Sequence, residues 1–259
     1  MNRNKAMLTI CIWMMAITQC IAQKPHKYTT KNKSESTAFD SIMKQCFKNN
    51  TLQCDSCDTM FIRGYLNDQL NLLERNEQRI SKLCTFMNLY HAWLLLTLCS
   101  SHGLTRLGND SMFLSKDTIF VQQSWFTLNT LRAMILEMGQ KDRLELWCSL
   151  WNGTVSGASP PKKEMNAKNY TSLLKAKSKA FFKSSPDEYS LDRSRYIINI
   201  SETFLKEIAP TTDIKKDSSF ILELIVPYIP ETDAAFCMIH KAKLRFHPIV
   251  VSDRISVRD

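Results

Sequence analysis

Cysteine and histidine carry the most reactive chemistry in this chain. Cys54-Asp55-Ser56-Cys57 has the spacing of a redox pair or of half a zinc site. Structural zinc takes four ligands, and no second closely spaced pair follows. A thioredoxin-type pair opens a helix after a strand, and the flanks here do not read that way. His26, His91, His102, His240 and His247 have no metal-ligand spacing. The sequence shows no glycine-rich phosphate loop, nucleophile-elbow serine or zinc-protease helix. It therefore implies no metal and no cofactor. One thiol–imidazole combination is conceivable, with Cys148 as nucleophile and His91 as its base. Cys148 lies within an apolar run, however, and His91 falls on the apolar face of a helical pattern. A hydrogen-bonded core histidine is the simpler expectation there.

The compartment in which the cysteines act is written at the N-terminus. Asn2-Arg3-Asn4-Lys5 is a short basic start, Ala6 to Ile17 is apolar, and Cys20-Ile21-Ala22 precedes Gln23. That is the pattern of a signal peptide over residues 1–22. The apolar run falls short of the roughly 20 residues that a membrane span needs. The longest later apolar stretch, Ala92 to Cys99, is broken by Ser100, Ser101 and His102, so no membrane span is expected after cleavage. Asn-x-Ser/Thr triplets without a central proline occur at Asn32, Asn49, Asn109, Asn152, Asn169 and Asn199, as in a glycosylated secreted protein. The nine cysteines less Cys11 and Cys20 leave seven: Cys46, Cys54, Cys57, Cys84, Cys99, Cys148 and Cys237. An oxidising compartment predicts at least two disulfides among them, one joining Cys46 to Cys54 or Cys57. The odd number leaves at least one thiol unbridged or shared between chains.

Composition is that of a globular protein, 44% hydrophobic and 23% charged, with a formal net charge of +9. Lys162, Lys163, Lys175, Lys177, Lys179 and Lys183 cluster, which on a helix decorates a solvated face. Nucleic-acid binding would also need stacking aromatics or a reading element, and neither is present.

Residues 23–35 are polar, basic and aperiodic, and read as a flexible segment ahead of a domain over 36–259. Phe39, Ile42, Met43 and Cys46 share a helical face, and Met60 to Leu73 continues with Phe61, Ile62, Tyr65, Leu66 and Leu70. The clearest helix runs from about Asn76 to Leu98, apolar nearly all round in its second half, as a buried central helix is. Ile119 to Val121 reads as a strand, and Leu128 to Met138 as a helix stopped by Gly139. Leu144 to Trp151 reads as a buried strand, and Asn152 to Pro161 as a loop. A helix over Tyr170 to Phe182 and a strand over Arg195 to Ile200 follow. Ser201 and Ser218 are placed to cap two more helices, and Leu244 to Val251 forms a closing strand. Helices with few, interspersed strands predict a single helix-rich α+β domain with a small mixed or antiparallel sheet.

These segments, in this order, resemble the family catalogued as domain of unknown function 547. Phe86-Met87-Asn88-Leu89-Tyr90-His91-Ala92 looks like its Phe-Trp-Ile-Asn-Leu-Tyr-Asn-Ala helix. Phe126 to Leu131, running on to Ile135-Leu136, looks like its Ser-Leu-Asp-Asp-Ile-Glu-His helix. Leu150-Trp151-Asn152-Gly153-Thr154-Val155-Ser156, with Pro160, looks like its Ala-Leu-Asn-Cys-Gly-Ser-x-Ser-Cys-Pro segment. Ile200 to Phe204 and Leu222 to Tyr228 resemble its later helices, and Leu244 to Asp253 its closing strand and turn. The resemblance spans roughly Ser36 to Asp253.

The departures carry the functional message. Where the resemblance places a cysteine, this chain has Asn152. Its two histidine positions fall on Leu96 and Trp147, and its acidic pair on Thr130 and Arg132. Of the polar set, Asn88, His91 and Asp253 remain. The expectation is a secreted, non-catalytic glycoprotein that binds an extracellular partner or ligand on an enzyme-like frame. The alternative is a secreted hydrolase or acyl transferase that uses a displaced Cys148/His91 site, with Asp253 nearby.

Overall fold

The first helix, α1 (Ala38–Cys46), buries Phe39, Ile42, Met43 and Cys46, the face its periodicity predicts. The computed structural model describes residues 38–48, 51–53, 57–75, 78–100, 118–153, 158–208 and 218–251. These belong to a compact unit, Ser36–Asp259. A small antiparallel hairpin, β1 (Phe47–Lys48) and β2 (Thr51–Leu52), pairs Phe47 with Leu52 and leads to α2 (Thr59–Arg75). Asp58 starts α2 by accepting the Phe61 N–H at 3.0 Å.

Helix α3 (Arg79–Ser100) is the spine, with every residue from Leu83 to Cys99 buried. By length and composition it is apolar enough to cross a membrane, contrary to the expectation that the apolar stretch is too short. The helix runs on to Ser100, and within it Thr97 returns its hydroxyl to the Trp93 carbonyl at 2.9 Å. Its surface is nevertheless spent inside the protein, against α2 on one side and α4 on the other.

Strands β3 (Ile119–Val121) and β4 (Ser124–Phe126) form a second hairpin. Its turn residues Gln122 and Gln123 both have positive φ, 48° and 68°, as a two-residue turn of this kind requires. Helix α4 (Leu128–Met138) opens on a reciprocal cap between Thr127 and Thr130. It stops at Gly139, where a Cβ would lie 2.0 Å from Leu146 Cδ1, so a larger residue would have to displace that side chain. A 3-10 turn (Gln140–Asp142) then feeds α5 (Arg143–Ser149). The buried strand expected over Leu144 to Trp151 is therefore a helix. Its apolar residues Leu144, Leu146, Trp147 and Cys148 are all buried because it packs between α4, α6 and α7, and an apolar run this short has no period that separates strand from helix.

Helix α6 (Tyr170–Ser184) crosses α5 and precedes β5 (Tyr189–Asp192) and β6 (Ile197–Ser201). The Ser201 Oγ accepts the Phe204 N–H at 3.0 Å and so caps α7 (Glu202–Ile208). Helices α8 (Ser218–Ile225) and α9 (Glu231–Ile239) and a second 3-10 turn (Lys241–Lys243) return the chain to β7 (Arg245–Ile249). Strand β6 is central, antiparallel to β5 and parallel to β7. The parallel pair is possible because the helical crossover between β6 and β7 is long enough. The architecture is helix-rich α+β with a small mixed sheet and a buried central helix.

Candidate functional site

Helix α3 presents the polar residues of the resemblance at Asn88 and His91. Asn88 is buried and pairs with the backbone of Met165 in both directions. Its amide nitrogen donates to the Met165 carbonyl at 2.9 Å, and its oxygen accepts the Met165 N–H at 3.0 Å. The side chain thus pins the segment before α6 to the spine. The same segment is held from outside by Glu164. Its Oε1 accepts from the Tyr65 hydroxyl at 2.8 Å and the Gln69 amide at 3.2 Å, while its N–H donates to Asp40 Oδ1 at 2.9 Å.

His91 lies one turn further on the spine and is also buried. Its Nε2 accepts the Trp151 N–H at 3.2 Å, at the exit of α5. The Ser149 and Met87 backbones are hydrogen-bonded to the ring as well. Burial, with the Lys177 charge adding to it, pushes the imidazole pKa down to about 3. The ring is neutral at physiological pH, and its lone pair is already engaged. Gly153, with φ at 86°, brings the chain back against the spine, where a Cβ would sit 3.3 Å from Leu98.

Cys148 is buried on α5, with Ser178 of α6 as its side-chain hydrogen-bond partner. Burial pushes its thiol pKa well up, so the nucleophilic thiolate is suppressed. His91 turns to the backbone after α5 and Cys148 turns to α6. Asn152 is half-buried where the resemblance places a cysteine, and Asp253 lies outside the described residues.

Of the other departures, Thr130 is exposed in the cap of α4, while Leu96, Trp147 and Arg132 are packed. Leu96 is buried on the spine. Trp147 stacks edge-on against Phe181 and Phe204, and its indole N–H donates to Glu207 Oε2 at 2.7 Å. Arg132 pairs with the same oxygen, and Arg143 Nε reaches the Glu207 carbonyl at 2.9 Å. Burial disfavours the Arg132 charge, but Glu207, Tyr90 and Glu188 together outweigh it and move the guanidinium pKa up. Glu188 joins this cluster. Burial pushes its pKa up to about 7, against opposing pulls from Ser201 and Arg132. Tyr90 Oη, Arg132 Nε and Glu188 Oε2 are buried with no protein hydrogen-bond partner. Sequence spacing gave no sign of this cluster, because its members come from α3, α4, α5, α7 and the turn before β5.

Lys177 differs from the solvated lysine expected. Its Nζ donates to the Ser159 and Pro160 carbonyls at 2.8 and 2.9 Å. Burial and the neighbouring Lys162 push its pKa down to about 8, while these carbonyls hold the ammonium. Lys175, Lys179 and Lys183 on the same helix are exposed.

The remaining candidates are scattered. Cys46, Cys57, Cys84, Cys99, Cys148 and Cys237 are present as thiols, and Cys54 lies outside the described residues. Cys84 and Cys99 sit on one helix with ~22 Å of rise between them, too far to bridge. Of the glycosylation triplets, Asn32, Asn49 and Asn109 lie outside the described residues. The Asn169 amide donates to the Glu164 carbonyl at 2.9 Å, and the Asn199 amide to Ser190 Oγ at 3.2 Å. Among the described residues no three His, Cys, Asp or Glu side chains gather as a metal site. Set against protein-family profiles, curated proteins and solved structures, this chain finds no match.

Proposed function

We propose that the chain is a secreted glycoprotein that works by binding an extracellular partner or ligand rather than by thiol catalysis, on a frame resembling the domain 547 family. One observation supports the non-catalytic part of this reading: His91 and Cys148, the thiol–imidazole combination considered from the sequence, are engaged with other partners. His91 is a neutral acceptor for the Trp151 N–H, and the Cys148 thiol is buried against Ser178 with its pKa raised. A thiolate nucleophile needs a base within hydrogen-bond reach or a lowered pKa, and Cys148 has neither. Asn152 supplies an amide where a thiolate would be required.

The test is labelling of the native protein with a mild thiol-directed electrophile at pH 6, followed by peptide identification. The proposal predicts slow labelling of Cys148 that accelerates only on unfolding. Fast, selective labelling of Cys148, lost in His91→Ala, would establish the hydrolase or acyl-transferase alternative instead.

A further inference from the structure

Cys46 ends α1 and Cys57 stands just before the Asp58 cap of α2, so both sulfurs sit at fixed helix ends. The chain between them folds back on itself through the β1–β2 hairpin. Gln53 locks the base of this hairpin from both sides. Its N–H donates to the Cys46 carbonyl at 2.8 Å, and its carbonyl accepts from the Cys57 thiol at 3.4 Å. The two thiol groups are also hydrogen-bond partners of each other. The fold therefore brings the two thiols together as hydrogen-bond partners on either side of Gln53, the neighbourhood in which a disulfide can form.

We infer that Cys46 and Cys57 are the sites of an intramolecular disulfide that staples the end of α1 to the start of α2. The oxidant is a low-molecular-weight disulfide of the glutathione type. Cys57, half-buried, is the sulfur it reaches first, because Cys46 is only 1% exposed. The Cys57 thiolate attacks one carrier sulfur and expels the other as a thiolate, leaving a mixed disulfide. The Cys57 thiol and burial hold the Cys46 pKa well up; once Cys57 is in the mixed disulfide its part of that effect is gone, and the Cys46 thiolate attacks the Cys57 sulfur and expels the second carrier thiolate. Two protein thiols are oxidised, one carrier disulfide is reduced to two thiols, and the protons from the cysteines pass to the carrier. The secretory reading would supply such an oxidant in the cell. The geometry itself does not depend on that reading.

The experiment uses full-length reduced protein incubated in native buffer with oxidised glutathione, then alkylated in denaturant and mapped. The expected result is a mass about 2 Da below that of the reduced protein before alkylation, with Cys46 and Cys57 in one linked peptide pair. Thermal midpoint should rise by several degrees on bridging. Cys54→Ser should behave in the same way, and Cys57→Ser should lose both effects. Cys54 in the linked pair, linkage between chains, or full alkylation of Cys46 and Cys57 would overturn the inference. Because the bridge is formed in purified protein, its failure is read separately from any failure of secretion.

Discussion

His91 Nε2 accepts the Trp151 N–H at 3.2 Å, which makes the imidazole the hydrogen-bonded anchor between the spine and the exit of α5. His91→Ala removes that acceptor, strands a buried N–H and opens a cavity. The expected loss is roughly 2–4 kcal/mol of unfolding free energy in urea denaturation. A loss below ~0.5 kcal/mol would show that the contact is idle.

The pH dependence of stability follows from two buried groups that work in opposite directions. The His91 pKa falls from 6.5 to about 3 on folding, so between these values the unfolded chain holds the extra proton and stability rises with pH. The Glu188 pKa rises from 4.5 to about 7, so between these values the native state holds the extra proton and stability falls with pH. Arg132, Asp187 and Glu207 are the charges around Glu188. The two contributions oppose one another from about pH 4.5 to 6.5. Relative to the native chain, Glu188→Gln should gain stability progressively across about pH 4.5 to 7, at up to ~1.4 kcal/mol per pH unit. Denaturation midpoints at several pH values check this. A constant offset between the two proteins would contradict it.

Asn88 carries two hydrogen bonds to Met165, and both ends are buried. Asn88→Ala leaves a backbone N–H and a carbonyl unpaired and should cost roughly 2–4 kcal/mol. The segment before α6 should also be cut faster under limited proteolysis. Unchanged proteolysis at 158–169 would argue that Glu164 and its partners hold the segment alone.

Processing is tested on protein made through a secretory host. The N-terminus should be at or within a few residues of Gln23, and glycan removal should lower the mass. Glycopeptide mapping should find lower occupancy at Asn169 and Asn199, whose amides are engaged at Glu164 and Ser190, than at Asn32, Asn49 and Asn109. Retention of Met1 would favour a membrane anchor over a cleaved signal.

Periodicity revealed α1 and α2 because each has one apolar face, as Phe39, Ile42, Met43 and Cys46 show on α1, while α3 showed itself by the length of its apolar run. It mistook α5 for a strand because Leu144, Leu146, Trp147 and Cys148 are all buried, which erases the helical period. It passed over α9, although Pro230 followed by Glu231 and Asp233 is a helix-start signal. The two-residue strands β1 and β2 are too short to show alternation. At the site, the buried setting of His91 was legible from the apolar face it occupies. Glu207 was not, because its partners Arg132 and Trp147 are brought to it only by tertiary packing. Lys177 looked like its exposed neighbours, and only the fold of the loop at Ser159 and Pro160 sets it apart.

The protonation of His91 is the most direct test of a non-catalytic site. Ring-labelled protein, followed by NMR from pH 8 to 4, should show His91 neutral throughout, with no titration step and with Nε2 unprotonated. A His91 titration centred between about pH 6 and 7 would mean an accessible, basic imidazole beside Asn152, and would contradict the account.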